Sequence, residues 1–369
     1  MNKKDRVMTT LDHAEPDLVP ITEMSIDAVH VERIAQTKFT GEGSLQTQVS
    51  ADRRAEAHMV AATTLAYEKL NFELIPVELS APDGWNPGKN PDGTTTDEWG
   101  RIFSYDARCK AWVPTSSVFT TPEDYERFPF PDPHASGRTY AIEQTKKRIG
   151  EEMALGGWIK DPFAIAWEMF KVTDFVRWLY EKPDFIRQVI ERITDFNIAI
   201  IGRIVDAKAD IILSSGDYAE KKGPFVPVKF FKEVVFPSLR RQVEVAHRAG
   251  LKFIKHTDGN LNPILDDLAN IVDGVHSLDP TASMDMGDVK CRYGDKLVLI
   301  GNVSVDNLCT KTKEEIVQET KECLRVAAPG GGYILSSSNS WYTDAKLENC
   351  LAMVDAGRKY GRYPIDICN

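Results

Sequence analysis

No two cysteines stand at the CxxC spacing of a metal-binding or redox motif. The six that are present, Cys109, Cys291, Cys309, Cys323, Cys350 and Cys368, are scattered along the chain, which argues against cysteine-held metal and fits buried or idle thiols in a reducing compartment. No window approaches the roughly 18 apolar residues of a membrane span. The positively charged opening MNKKDRVMTTLDH leads into no apolar stretch of signal-peptide length, so a cytoplasmic protein without membrane contact is expected. There is no basic stripe, and the formal charge is −10. That charge would repel a phosphate backbone, so nucleic acid is not expected as a partner. Internal repeats and low-complexity tracts are also missing.

What is present suffices for a large core. Of 369 residues, 42% are hydrophobic and 27% charged, an ordinary globular balance. Parallel α/β barrels commonly run to about 250 residues and grow by insertion, so a single domain over residues 1–369 accommodates the length. From about residue 183, helical periodicity alternates with short β-branched runs and polar turns, the pattern of a parallel sheet. Helices are expected in PDFIRQVIERITDFNIAIIGRIVDA, VKFFKEVVFPSLRRQVEVAHRAG, KEEIVQETKECLRVAA and KLENCLAMVDAGRKYG, the second and fourth stopping at a glycine. Strands are expected in DIILSS, LKFIKH, GVHSL, KLVLIGN and GYILSSS, and earlier in LVPITE (18–23), ELIPVE (73–78) and ALGGWIK (154–160). Together they supply the strands of a closed (β/α)8 TIM-type barrel. Residues 80–137 break the alternation, with APDGWNPGKNPDGTT preceding RIFSY and KAWVPTS around a turn. They are expected to form a hairpin and a short helix, inserted after the second strand and covering the barrel mouth.

In such barrels the reactive side chains come from the last residue of each strand and the loop after it. That rule selects Glu23, Glu78, Asp161, Ser215 with Asp217, His256 with Asp258, Ser277 with Asp279, Asn302, and Ser337 with Asn339. Polar residues are common wherever a strand end meets solvent, so local context decides. HTDGN sets an imidazole, a carboxylate and an amide directly after the apolar run LKFI, and Gly259 lets the chain turn sharply toward a ligand. In SSGDYAEKKGPFVP, Asp217, Tyr218 and Glu220 follow a buried strand. Asp217 can hold or move a proton and Glu220 can bind a metal, against the plainer reading of Asp217 as a turn cap. Among the histidines His256 is the one placed for chemistry, while His276, inside GVHSL, reads as a hydrogen-bonded interior residue. The glycines of GGGYILSSS precede a strand instead of linking a strand to a helix, so they form no phosphate cradle. Trp85, Trp112 and Trp167, with Glu168, are candidates for a substrate wall.

HTDGN, IGNVSVDNL, APGGGYILSSSNS and GDYAEKKGPFVPVKFFKEVVFPSLRR together resemble the uroporphyrinogen decarboxylase superfamily, above all its corrinoid-dependent methyltransferase branch. The resemblance runs from about residue 160 to 361 and implies a single (β/α)8 barrel. The decarboxylases carry an arginine-rich segment near the start that binds substrate carboxylates. Here PDLVPITEMSID stands in that place, with Glu23 and Asp27 and no arginine, a wall that would repel a polyanionic tetrapyrrole. Branch members acting on thiols bind zinc through His-x-Cys and a later Cys. His256 matches their histidine, but Asp258 stands at the first cysteine position and Asn339 near the second. Loss of two thiolates leaves a harder and weaker zinc site and argues against a thiol acceptor. Members that demethylate aryl ethers hold zinc by two Glu and a His. Glu220 and His256 have the separation of the outer two, whereas position 235 is valine, with Glu233 two residues earlier and about 200° away around a helix.

The resemblance therefore implies a methyltransferase that moves a methyl group from a small methoxy-type molecule to the cobalt of a separate corrinoid protein. Zinc held by Glu220, His256 and either Asp258 or Asn339 would act as a Lewis acid on the methoxy oxygen. Without metal, Asp217 or His256 would protonate the leaving oxygen. Substrate contacts are expected from Glu23, Glu78, Trp167, Glu168, Tyr218, Asn302 and Asn339. The one DxHxxG match, DPHASG at 132–137, lies in the Pro- and Gly-rich excursion and not in a cobalamin-binding segment of its own, so the corrinoid is expected on a partner protein. One rival is a cofactor-free decarboxylase with Asp217 stabilising a protonated intermediate, which a buried arginine cluster at the mouth would favour. The other is a non-catalytic barrel that binds a corrinoid or small ligand for delivery.

Overall fold

The structure, a computed structural model, describes residues 1–39, 52–87, 89–108 and 111–367; Cys109 and Cys368 lie outside them. Seven parallel strands form one sheet, hydrogen-bonded in chain order. They are β1 (Leu74–Glu78), β2 (Ala154–Lys160), β3 (Ile211–Ser215), β4 (Lys252–Thr257), β5 (Gly274–Ser277), β6 (Val298–Val303) and β7 (Tyr333–Ser337). Each coincides with an expected run. The remaining run, 18–23, is extended but not a regular strand, and it joins the two edges of the sheet. On one side Thr22 N–H donates to Leu335 O and Leu335 N–H donates to Pro20 O; on the other, Glu73 N–H donates to Ile21 O. Pro20 has no N–H, which removes a rung that a regular strand would need. The sheet is curled shut by this segment into the (β/α)8 TIM-type barrel that the periodicity implies.

Alternation along each strand sorts the core. Leu74, Ala154, Leu213, Ile254, Ile300 and Ile334 meet inside the barrel, and Val7 and Leu11 of the helix Lys3–Leu11 join the same cluster. That helix is held at the end where strands begin, with Lys4 paired to Asp210 at 2.6 Å and Asp12 to Lys252 at 3.1 Å. It plugs the bottom of the barrel, so the opposite end is free for a site. In β2, consecutive glycines make room on both faces. A Cβ at Gly156 would lie 2.5 Å from Leu213 inside, and one at Gly157 would lie 2.3 Å from Ile204 of the outer helix Pro183–Asp206.

The helices Pro183–Asp206, Lys313–Ala327 and Leu347–Tyr360 follow the periodicity, but the second expected helix, over VKFFKEVVFPSLRRQVEVAHRAG, is interrupted. Val228–Phe230 passes through a π turn, Phe231–Val235, before Phe236–Arg248 begins. Pro237 has no N–H to offer the Glu233 carbonyl, and Arg187 Nη1 approaches that oxygen at 3.4 Å instead. The excursion contains Thr95–Thr96, Arg101–Asp106 and Ala111–Ser117 in one antiparallel sheet, a strand more than a hairpin, and then the helix Pro122–Arg127. Thr121 and Asp124 close a capping box at the start of that helix. Among the described residues no helix is long and apolar enough to cross a membrane.

Candidate active and metal site

A cavity of about 360 Å³ opens where the strands end, within the range of small-molecule sites. Successive strand ends build it: Glu78 from β1, Trp158 and Lys160 from β2, Asp217 after β3, His256 from β4 and Asp258 just after it. Arg101, Phe103 and Trp112 of the antiparallel sheet form the opposite wall; Trp85 is not part of it. Strand alternation explains why β4 contributes His256. Ile254 faces the barrel interior and His256, two residues on, faces the same way. Lys255 between them turns outward, where its Nζ donates to Gly216 O at 2.7 Å and lies 3.3 Å from Asp161.

Asp217, His256 and Asp258 present ligand atoms that all lie within 4.8 Å of one another. Two loops must dock to achieve this. The Asp217 carboxylate accepts the Asp258 N–H at 3.0 Å. Gly259, at φ +89°, packs so closely that a Cβ would lie 2.4 Å from the Ala219 carbonyl, so this glycine serves loop docking. The Asn339 amide donates to Asp258 Oδ2, while Asp258 Oδ1 is buried with no hydrogen-bond partner among the described residues. Burial, reinforced by the Asp217 charge, pushes the Asp258 carboxyl up to about 7. Burial also brings His256 down to about 4, against the attraction of Asp217. An orphaned carboxylate oxygen beside a second carboxylate and an imidazole is a donor set that fits a divalent cation with one face open to the cavity.

Glu220, expected among the metal ligands, is not in this group. Its side chain is exposed on a two-residue strand, Ala219–Glu220, paired with Gly223–Pro224, and its backbone oxygen accepts from Asn260 N–H at 2.9 Å. The carboxylate this loop sends to His256 is that of Asp217. Tyr218 is also no part of the cavity wall. It is fully buried, its hydroxyl donates to Asp161 at 2.6 Å, and Lys255 Nζ lies 4.2 Å from its ring centre. Asn302 is turned outward as well, its amide donating to Leu278 O at 2.7 Å. Glu23 lies behind the wall, fully buried, where burial pushes it up to about 8 although Ser336, Ser337 and the Met24 N–H all donate to it.

Glu78, Trp167, Glu168 and Asn339 do line the cavity. Burial raises Glu168, but the charges of Lys160, 2.7 Å away, and Arg101 outweigh it and hold the carboxyl below its ordinary value. Arg101 is shared between Glu168 and Asp97. Glu78 receives no hydrogen bond among the described residues, and burial pushes it up to about 8. Sequence reasoning passed over Lys160 and Arg101, while His276 is the hydrogen-bonded interior residue that its place inside GVHSL implies. Lys160 ends a strand, so the strand-end rule was signal enough to find it. Arg101 reaches the site from outside the barrel and carries no such signal.

Comparison with known proteins follows the same architecture. The pattern of the uroporphyrinogen decarboxylase (URO-D) family matches residues 111–360. Over 222 residues the chain is 25% identical to the methylcobamide:CoM methyltransferase MtaA of Methanosarcina barkeri, covering 60% of this chain and 62% of that one. Over 258 residues it is 28% identical to the uroporphyrinogen decarboxylase of Homo sapiens, covering 65% and 67%. A solved methyltransferase from Methanosarcina mazei superposes with a TM-score of 0.74 at 21% identity, over 98% of this chain and 99% of that one; at that identity the likeness is one of fold.

Proposed function

We propose that this chain, which belongs to the uroporphyrinogen decarboxylase family, is a single-domain, cytoplasmic methyltransferase that moves a methyl group from a small methoxy-type molecule to the cobalt of a separate corrinoid protein. The observation that carries this reading is the convergence of Asp217, His256 and Asp258 on one point in a cavity of small-molecule size. Zinc, or a comparable divalent ion, held by those three residues would supply Lewis-acid polarisation of the methoxy oxygen. The chain's own residues prepare the rest. Asn339 and the Asp258 N–H fix the two carboxylates in place. Trp158, tied through Nε1 to Ser215 Oγ at 2.6 Å, and Trp167 line the cavity with apolar surface that would keep water from the reacting bond. Oxygen ligands where thiol-acting members carry cysteines suit an oxygen-bound substrate better than a thiol. In the metal-free site burial favours the uncharged forms of both Asp258 and His256.

The arginine content of the cavity speaks against decarboxylation of a polycarboxylate. Arg101 is the one arginine among the described lining residues, and Asp97 and Glu168 already occupy it. A reducing compartment fits the four described cysteines, all free.

Metal analysis of protein purified without chelators or a metal column, beside His256→Ala and Asp217→Ala prepared identically, tests the site. The expected result is about one zinc per chain, lost in both variants. Incubation with methoxy compounds and a reduced corrinoid protein should then produce the absorbance of methyl-cobalt. No metal uptake after zinc is added back would remove the Lewis-acid mechanism.

A further inference from the structure

His276 stands beside His256 on the neighbouring strand β5. Their Nδ1 atoms are 2.7 Å apart and their ring centres 5.0 Å apart. Two ring nitrogens at that distance share one proton. Which ring carries it is decided on the far side of His276, where Nε2 lies 3.1 Å from the Ser337 carbonyl oxygen. A carbonyl can only accept, so that Nε2 bears hydrogen. A second hydrogen on Nδ1 would make a charged imidazolium of a ring that is fully buried. The Nδ1 of His276 is therefore a bare acceptor, and the shared proton belongs to His256 Nδ1.

The same direction continues behind the site. Ser336 Oγ lies 3.3 Å from His276 Nε2 and donates to Glu23 Oε1 at 3.2 Å. The Ser337 hydroxyl and N–H also donate to Glu23, at 2.9 and 3.2 Å. Every donor points away from the cavity, and the chain ends on a carboxyl group sealed behind β7.

We propose that His276 is a positioning residue that fixes His256 in its Nδ1–H tautomer, leaving Nε2 as the lone pair available to the cavity, with Ser336 and Glu23 anchoring His276 from behind. The consequence for metal binding rests on the reading of Asp217, His256 and Asp258 as a metal site. The tautomer itself is a property of the metal-free chain. A histidine ligand whose other nitrogen is fixed by a hydrogen bond is oriented before the ion arrives.

Two-bond 1H–15N correlation spectra of metal-free protein with labelled imidazoles test this, the His256 signals being assigned by their loss in His256→Ala. His256 is expected to show a protonated Nδ1 and a bare Nε2, and His276 the reverse. In His276→Phe, which removes the acceptor, the His256 pattern should shift toward Nε2–H, and zinc affinity measured against a competing chelator should fall about 10- to 100-fold. His276→Asn, whose Oδ1 keeps an acceptor near the place of Nδ1, should retain both the tautomer and most of the affinity. A bare Nδ1 on His256 in the wild type overturns the proposal, as does an unchanged tautomer in His276→Phe. The expected tautomer in a protein that takes up no zinc would support the positioning role and count against the metal reading instead.

Discussion

A carboxyl group at the end of β1, Glu78, faces the cavity without a hydrogen bond among the described residues, and burial pushes it up to about 8 from 4.5. Between those values the folded chain holds more protons than the unfolded one, so this group's contribution to stability is intact below about pH 4.5 and is lost as pH rises toward 8. The limit is about 1.4 kcal/mol per pH unit, reduced here because the cavity wall meets solvent. Glu78→Gln removes the contribution, while Glu23, raised in the same direction, stays in both proteins. Urea unfolding should show the variant gaining stability over wild type from about pH 5 to about pH 8; a gap independent of pH would show that Glu78 titrates normally. At this scale the sequence was most readable where a residue sits in or just after a regular strand, as His256, Asp258 and Glu78 do. It was least readable in the loop of Asp217, Tyr218 and Glu220, where no period says which of three polar side chains within four residues turns inward. The fold turns in Asp217, buries Tyr218 against Asp161 and exposes Glu220.

Elements meet at the site through backbone as much as through side chains. The loop after β4 lies on the loop after β3 because Gly259 has no Cβ, and the contact holds Asp258 against Asp217. Gly259→Ala combines an unfavourable φ of +89° with a 2.4 Å approach to Ala219, and should cost about 1 to 3 kcal/mol of stability. It should also weaken metal uptake, because relieving the clash separates the two carboxylates. A thermal melt within error of wild type, together with unchanged zinc affinity, would mean that the loops dock by other contacts. The run 18–23 illustrates what periodicity cannot supply. Its apolar pattern reads as a strand, yet Pro20 leaves it as an extended clasp between β1 and β7. The break at Phe231–Val235 likewise follows from Pro237, a single residue inside an otherwise helical pattern.

For the molecule as a whole, alternating helix and strand made the barrel legible, because a parallel sheet with helices outside is the one arrangement that buries both faces of such strands. Its bottom plug was not legible, since Lys3–Leu11 is too short a helix to announce its partner. The two chemistries of the family make different demands on the same barrel. A tetrapyrrole with many carboxylates needs several unpaired cations around it. This chain carries a net charge of −10, places Asp217, Asp258, Glu78 and Glu168 around its cavity, and engages Arg101 with Asp97 and Glu168. Uroporphyrin titrated into the protein should therefore leave tryptophan fluorescence unquenched, although Trp99, Trp112, Trp158 and Trp167 all border the cavity and would report an occupant. Saturable quenching at about one porphyrin per chain, abolished by Arg101→Ala, would show that the Arg101 pairs open on binding and would return decarboxylation to the front.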